Sequence, residues 1–285
     1  MDPTLRPWRS VLYIPGSKPR ALDKALSLPC DAIIFDLEDA VAPEEKAAAR
    51  GLLADWLRGA DYGLRARIVR VNALDTSWGA EDCAAFAGMP LEAVLIPKVN
   101  GPADVDAVAA LLPGVDLWAM METPLAMLGA AAIAAHPRLT GMVMGTNDLA
   151  KDIGARFRAD RLPLVTGLGL CLLAARAHGV TIIDGVYNAF KDAEGLAAEC
   201  AQGRDMGFDG KTLIHPDQIA AANAAFAPTE AEIDLARRQI AAFEAAKAAG
   251  QGVAVVDGRI VENLHVATAE ATLARAAKIA ALEAA

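Results

Sequence analysis

Asp116–Asp152 reads DLWAMMETPLAMLGAAAIAAHPRLTGMVMGTNDLAKD, and its pattern decides the fold. An apolar run long enough for a buried strand ends on Glu122, an alanine-rich stretch from about Pro124 to Ala135 has helical length, and a second apolar run ends on Asn147-Asp148. A strand-helix-strand unit with a right-handed crossover makes its two strands parallel neighbours, so Glu122 and Asp148 leave the same edge of the sheet and converge. Two hard oxygen ligands on one rim suit Mg²⁺, which takes one or two carboxylates and completes its shell with water and substrate oxygens. The competing reading makes each acid the cap of a following helix.

Outward from this stretch the same pattern recurs. Arg9–Ser17 (RSVLYIPGS), which carries Tyr13, is an apolar strand broken by Pro-Gly, and the PRALDKALSL that follows has helical spacing with Ser17 as a candidate cap. Lys18, Arg20 and Lys24 surround that helix start, where exposed N–H groups suit a phosphate; a solvated basic face is the alternative. Asp31–Asp39 (DAIIFDLED) ends in Asp36, Glu38 and Asp39, acids that are costly at a strand end unless solvated, paired or used. Arg65–Asn72 (RARIVRVN) ends on Arg70 and Asn72, which alternation sends to one face, and Arg70 offers a planar fork to a carboxylate. Ala93–Val99 (AVLIPKV) closes on Pro97-Lys98, and Val180–Tyr187 (VTIIDGVY) and Phe208–His215 complete the set.

Eight strand candidates separated by helical patterns such as Pro43–Arg58 and Ala193–Met206 are the signature of an α/β protein with a (β/α)₈ TIM barrel, whose strand ends and following loops build the active site. A doubly wound open sheet also alternates strand and helix, but no Gly-x-Gly-x-x-Gly follows an early strand. The barrel is expected to occupy residues 1–228 and a helix-hairpin-helix extension residues 229–285. The extension opens with a Thr229/Glu232 capping box, continues through a hairpin around Asp257-Gly258, and ends in an alanine-rich helix.

Composition narrows the function. The chain has 285 residues, 54% of them hydrophobic, enough for a sizeable core, and its net charge of -9 argues against nucleic acid as a partner. Its four cysteines are dispersed without Cys-x-x-Cys spacing, which fits a reducing cytoplasm. No apolar signal core opens the chain and no uncharged run reaches the roughly 18 residues of a membrane span, so a soluble protein without a membrane partner is expected.

RSVLYIPGSKPRALDKA, DAIIFDLEDAV, RIVRVN, VLIPKV, METPLAML, MGTNDLAKDIG, IDGVY with KDAEGL, GFDGKTLIHPDQI and VVDGRIVENLHVATAE, in that order, resemble the citrate lyase beta-subunit-like family of the HpcH/HpaI aldolase superfamily, relatives of malyl-CoA and citramalyl-CoA lyases. The resemblance implies a barrel with a C-terminal extension, Mg²⁺ as cofactor, acyl-CoA and oxo-acid substrates, and a homo-oligomer, trimeric or hexameric. Matched position by position, Glu122 and Asp148 take the metal and Arg70 the substrate carboxylate or enolate oxygen, while Glu122, Tyr13, Lys18, Arg20 and Lys24 are the expected substrate and CoA contacts.

The implied reaction cleaves, or forms, the carbon–carbon bond of a short β-hydroxy-dicarboxylic acyl-CoA thioester such as malyl-CoA or citramalyl-CoA. It needs a base for the hydroxyl proton and a group to stabilise the enolate. Asp36, Glu38 and Asp39 are candidates for the base; orienting Arg70 or metal-bound water is the equal alternative. One departure stands out. Where the family hairpin carries an aspartate thought to act as an acid in a neighbouring subunit, this chain has Glu262, one methylene longer, which puts the bond cleaved in doubt. Hydrolysis of the thioester on the same scaffold, and a beta subunit working within a citrate lyase complex, are the alternatives to the lyase.

Overall fold

The structure, a computed structural model, describes residues 6–284. The first half of the barrel comprises β1 (Ser10–Pro15), α1 (Pro19–Ala25), β2 (Ala32–Asp36), α2 (Lys46–Gly59), β3 (Ala66–Arg70), α3 (Gly79–Phe86), β4 (Ala93–Ile96) and α4 (Pro102–Leu111). The second comprises β5 (Leu117–Met121), α5 (Pro124–Leu128), α6 (Ala130–Ala134), β6 (Leu139–Met144), α7 (Thr146–Asp152), α8 (Val165–His178), β7 (Thr181–Asp184), α9 (Ala193–Met206), β8 (Gly210–Leu213) and α10 (Ile219–Phe226). The eight strands are parallel and close on themselves, β1 pairing with both β2 and β8. This is the (β/α)₈ barrel expected from the sequence.

Strand alternation divides the core in two. Outward-facing residues such as Ile33, Phe35, Val69, Val94 and Met142 pack against the helices. Inward-facing Ala32, Ile34, Ala66, Ile68, Leu95 and Val143 fill the barrel, where Trp118 and Trp8 meet with ring centroids 4.9 Å apart. Each fully buried large aliphatic contributes about 1.5–3 kcal/mol. Room for Trp118 comes from Gly141 on the neighbouring strand, where a Cβ would fall 2.1 Å from the indole.

Local detail departs from the sequence-based expectation in three places. The alanine-rich stretch is two short helices, α5 and α6, broken at Gly129. The strand expected to end on Asn147-Asp148 stops at Met144: the Gly145 N–H bonds Met121 O (2.9 Å), its carbonyl accepts from Leu149 N (3.1 Å), and the chain turns into α7. Asp148 therefore sits in the first turn of a helix. Ser17 does not cap α1, whose N-cap is Lys18 without a side-chain hydrogen bond.

The chain divides into two compact units, Trp8–Phe226 and one that takes in the segment from Ala227 onward. The latter holds α11 (Glu230–Ala248), β9 (Ala254–Val256), β10 (Arg259–Val261) and α12 (Asn263–Glu283). Thr229 and Glu232 form the capping box, with Glu232 N donating to Thr229 Oγ1 (3.2 Å) and Thr229 N to Glu232 Oε2 (2.7 Å). Asp257 (φ 51°) and Gly258 (φ 75°) make the hairpin turn, and Arg238 holds Asp257 with two 2.8 Å hydrogen bonds.

Candidate active site

Alternation also determines which residues reach the C-terminal rim. After Ala32 and Ile34 the next inward position on β2 is Asp36; after Ala66 and Ile68 on β3 it is Arg70; after Trp118 and Met120 on β5 it is Glu122. All three are buried. Arg70 donates from Nε to Asp36 Oδ1 (2.7 Å) and from Nη2 to Asp36 Oδ2 (2.6 Å), a bidentate pair. The backbone N–H groups of Glu38 and Ala40 donate to the same carboxylate at 2.9 and 3.0 Å, so Asp36 is committed as an acceptor. Arg70 keeps Nη1 for Glu38 Oε2, 2.8 Å away, and its guanidinium lies 5.0 Å from the Tyr13 ring centroid.

These contacts divide the proton affinities. Burial works against the Arg70 charge, but Asp36, Tyr13 and Glu38 more than offset it, and its pKa stands well above the ordinary value. Burial pushes Glu38 up to about 7: Arg70 opposes the rise, while Asp39, Glu122 and Asp36 add to it. Burial likewise raises the Tyr13 phenol, keeping it neutral.

Glu122 faces Asp148, and Lys98 holds both. Lys98 has φ 53°, in the left-handed region. Its N–H donates to Glu122 Oε1 (2.8 Å), and its ammonium lies 3.6 Å from that oxygen while forming an ion pair with Asp148 Oδ2. Burial raises Glu122 more than Lys98 lowers it; at Asp148 the upward push of burial is outweighed by the hydrogen bond and charge of Lys98. Gly145 permits the approach of β6 to Glu122, since a Cβ there would fall 2.3 Å from Glu122 Cβ and 2.7 Å from Oε2.

The donor set fits a hard divalent cation. Lys98 meets Glu122 Oε1 through its N–H and Asp148 Oδ2 through its ammonium, and the two facing carboxyl groups also hydrogen-bond each other, so the site presents a pair of adjacent carboxyl groups. Mg²⁺ needs no more from a protein, because water and substrate oxygens complete its shell.

Tyr13, Arg70, Glu122 and Asp148 line one cavity of about 280 Å³ at this rim, together with Asn147 and Asn188. Those two amides pair reciprocally, at 2.7 and 3.2 Å. The other expected contacts fall elsewhere. Lys18, Arg20 and Lys24 are exposed on the β1–α1 segment outside this cavity, Lys18 lying 3.6 Å from Glu45. Glu262 belongs to the second unit, where it is exposed at the N-cap position of α12; the His265 N–H donates to the Glu262 backbone carbonyl (2.9 Å) and His265 Nδ1 accepts from the Glu262 N–H (3.1 Å). Asn72 turns away from Arg70 to Lys46 Nζ (2.7 Å) and Asp82 (2.6 Å).

Two features carried no role in the sequence reading. Lys98 stood in a strand-end motif, but its convergence on Glu122 and Asp148 depends on a backbone conformation that lysine rarely adopts. Asp184 lies at the end of β7, within the VTIIDGVY segment. It anchors a buried ionic network, accepting from Arg161 Nη1 (2.7 Å) and Lys211 Nζ (3.1 Å), with Lys211 also bonding Glu199 (2.7 Å).

The pattern of the HpcH/HpaI aldolase/citrate lyase family matches residues 9–216. A (3S)-malyl-CoA thioesterase of Cereibacter sphaeroides is 70% identical, with 96% of each chain covered. An L-malyl-CoA/beta-methylmalyl-CoA lyase of the same species is 34% identical, with 98% of each covered. Among solved structures, CitE from Mycobacterium tuberculosis in complex with magnesium, acetoacetate and coenzyme A superposes with a TM-score of 0.82 at 32% identity, covering 96% of this chain and 99% of that one. These likenesses correct the expectation of a carbon–carbon lyase: the thioesterase shares twice the identity that the lyase does.

Proposed function

The chain belongs to the HpcH/HpaI aldolase/citrate lyase family, as an enzyme, and from that premise we propose that it hydrolyses a short hydroxy-dicarboxylic acyl-CoA thioester of the malyl-CoA type, releasing the hydroxy diacid and free CoA. The observation that carries this reading is the 70% identity to a (3S)-malyl-CoA thioesterase over 96% of the chain. The magnesium in the CitE complex and the two facing carboxyl groups support Mg²⁺ at Glu122 and Asp148.

Bound there, Mg²⁺ would polarise substrate oxygens as a Lewis acid. The remaining work falls to side chains. Glu38, with a pKa of about 7, takes a proton from the attacking water as the water oxygen bonds to the thioester carbon. Arg70 stabilises the negative charge that develops on the carbonyl oxygen; a preorganised donor of this kind contributes about 3 kcal/mol. Asp36 acts through Arg70, fixing the guanidinium by its bidentate pair. When the carbon–sulfur bond breaks, the proton held by Glu38 passes to the departing thiolate, which restores the carboxylate. Hydrolysis forms and breaks bonds only at the acyl carbon, so no enolate requires an acid from Glu262.

Turnover in H₂¹⁸O tests the step. One ¹⁸O atom is expected in the released hydroxy diacid for each CoA set free, and CoA release without ¹⁸O in the acid would overturn the proposed attack by water.

A further inference from the structure

We propose that Lys98 is a resident counter-cation of the Glu122–Asp148 pair, so that a divalent ion enters this site by exchange against the ammonium; the inference rests on the metal assignment above. Glu122 and Asp148 face each other, Glu122 buried, and one cation is set against both carboxyl groups. Lys98 supplies it from two directions at once. Its left-handed backbone (φ 53°) brings the N–H to Glu122 Oε1 at 2.8 Å, and the same residue sends its ammonium to Asp148, 3.6 Å from Glu122.

A metal ion held by Glu122 and Asp148 would have to share both carboxyl groups with that ammonium. Repulsion between a divalent and a monovalent cation at such separations outweighs the tenfold to hundredfold in affinity that an outer-shell hydrogen-bond partner is worth. The Lys98 side chain is 40% exposed, so water is available to the ammonium if it leaves. Lys98 therefore holds down the affinity of the pair for metal.

A coupling follows. An acidic ligand placed beside Glu122 and Asp148 adds the negative charge that offsets the ammonium, so it tightens the metal, and by linkage the metal tightens the ligand equally. Metal and diacid load together.

Mn²⁺ binding to the full chain, followed by the paramagnetic signal of the free ion, reads this directly with and without malate. Lys98→Met removes the ammonium; Lys98→Gly removes it too, accepts the positive φ without strain and keeps the N–H to Glu122, so it serves if the Met variant misfolds. Both are expected to bind Mn²⁺ at least about tenfold tighter than wild type, about 1.4 kcal/mol. Malate is expected to tighten Mn²⁺ in wild type and to do so much less in the variants. Unchanged or weaker Mn²⁺ binding in the folded variants overturns the counter-cation role while leaving the metal assignment standing. A wild type that binds no Mn²⁺ even with malate, or binds it as well after Glu122→Gln, overturns the metal assignment and this inference with it.

Discussion

Glu38→Gln is expected to slow hydrolysis and to stabilise the fold above neutral pH. Burial lifts this carboxyl from its ordinary value near 4.5 to about 7 even though Arg70 stands 2.8 Å away. Because the folded protein holds the proton more tightly than the unfolded chain, wild-type stability is undiminished by this group below about pH 4, falls as pH rises through the window from 4.5 to 7, and then levels off. At about 1.36 kcal/mol per pKa unit the full cost is about 3 kcal/mol, and the solvent contact that Glu38 retains reduces it to about 1–3 kcal/mol. Glutamine cannot ionise, so the variant escapes this loss. Urea unfolding at pH 5 and pH 8.5 should show the wild type losing stability between the two while the variant loses correspondingly less. The same substitution removes the base, so kcat/KM for CoA release should drop by about 10²–10⁴ and lose its acid limb near pH 7. A variant that keeps the wild-type rate and acid limb would refute Glu38 as the base; equal pH dependence of stability in the two proteins would refute the burial-driven shift.

Arg70→Lys keeps the charge but makes at most one of the two bonds to Asp36, so kcat/KM should fall by about 10²–10³ and stability by about 1–3 kcal/mol, read by steady-state kinetics and thermal unfolding. Asp148→Asn should abolish the stimulation of turnover by Mg²⁺ with little change in unfolding free energy, and full wild-type activity in excess chelator would count against the metal site. Glu262→Gln and Glu262→Ala should both leave CoA release essentially unchanged, read by steady-state kinetics, because the bonds Glu262 makes at the start of α12 are those of its backbone. A large loss of turnover in Glu262→Gln would show that the extension supplies a reacting group.

The barrel and the Glu122 and Arg70 positions were legible because alternation along a strand and the polarity of a closed parallel sheet are properties of sequence period. What the period does not encode was missed. Asp148 was placed at a strand end because GTND follows an apolar run without a break in polarity; that the strand stops at Met144 depends on Gly145 packing against Glu122, a contact with a residue far along the chain. Asp36 and Glu38 looked equivalent on paper. They differ in three dimensions because Arg70 and two backbone N–H groups commit Asp36, whereas burial pushes Glu38 up to about 7. Lys98 escaped notice because its role rests on a positive φ, which lysine propensity argues against. The choice between cleaving carbon–sulfur and carbon–carbon bonds is hidden as well, since both reactions call on a cation, an arginine and a base.

The fate of malyl-CoA distinguishes hydrolysis from carbon–carbon cleavage most directly. Purified protein incubated with malyl-CoA and Mg²⁺, its products separated by mass, is expected to yield malate and free CoA in equal amounts from the first turnover. Glyoxylate and acetyl-CoA in equal amounts, in place of malate and CoA, would contradict hydrolysis.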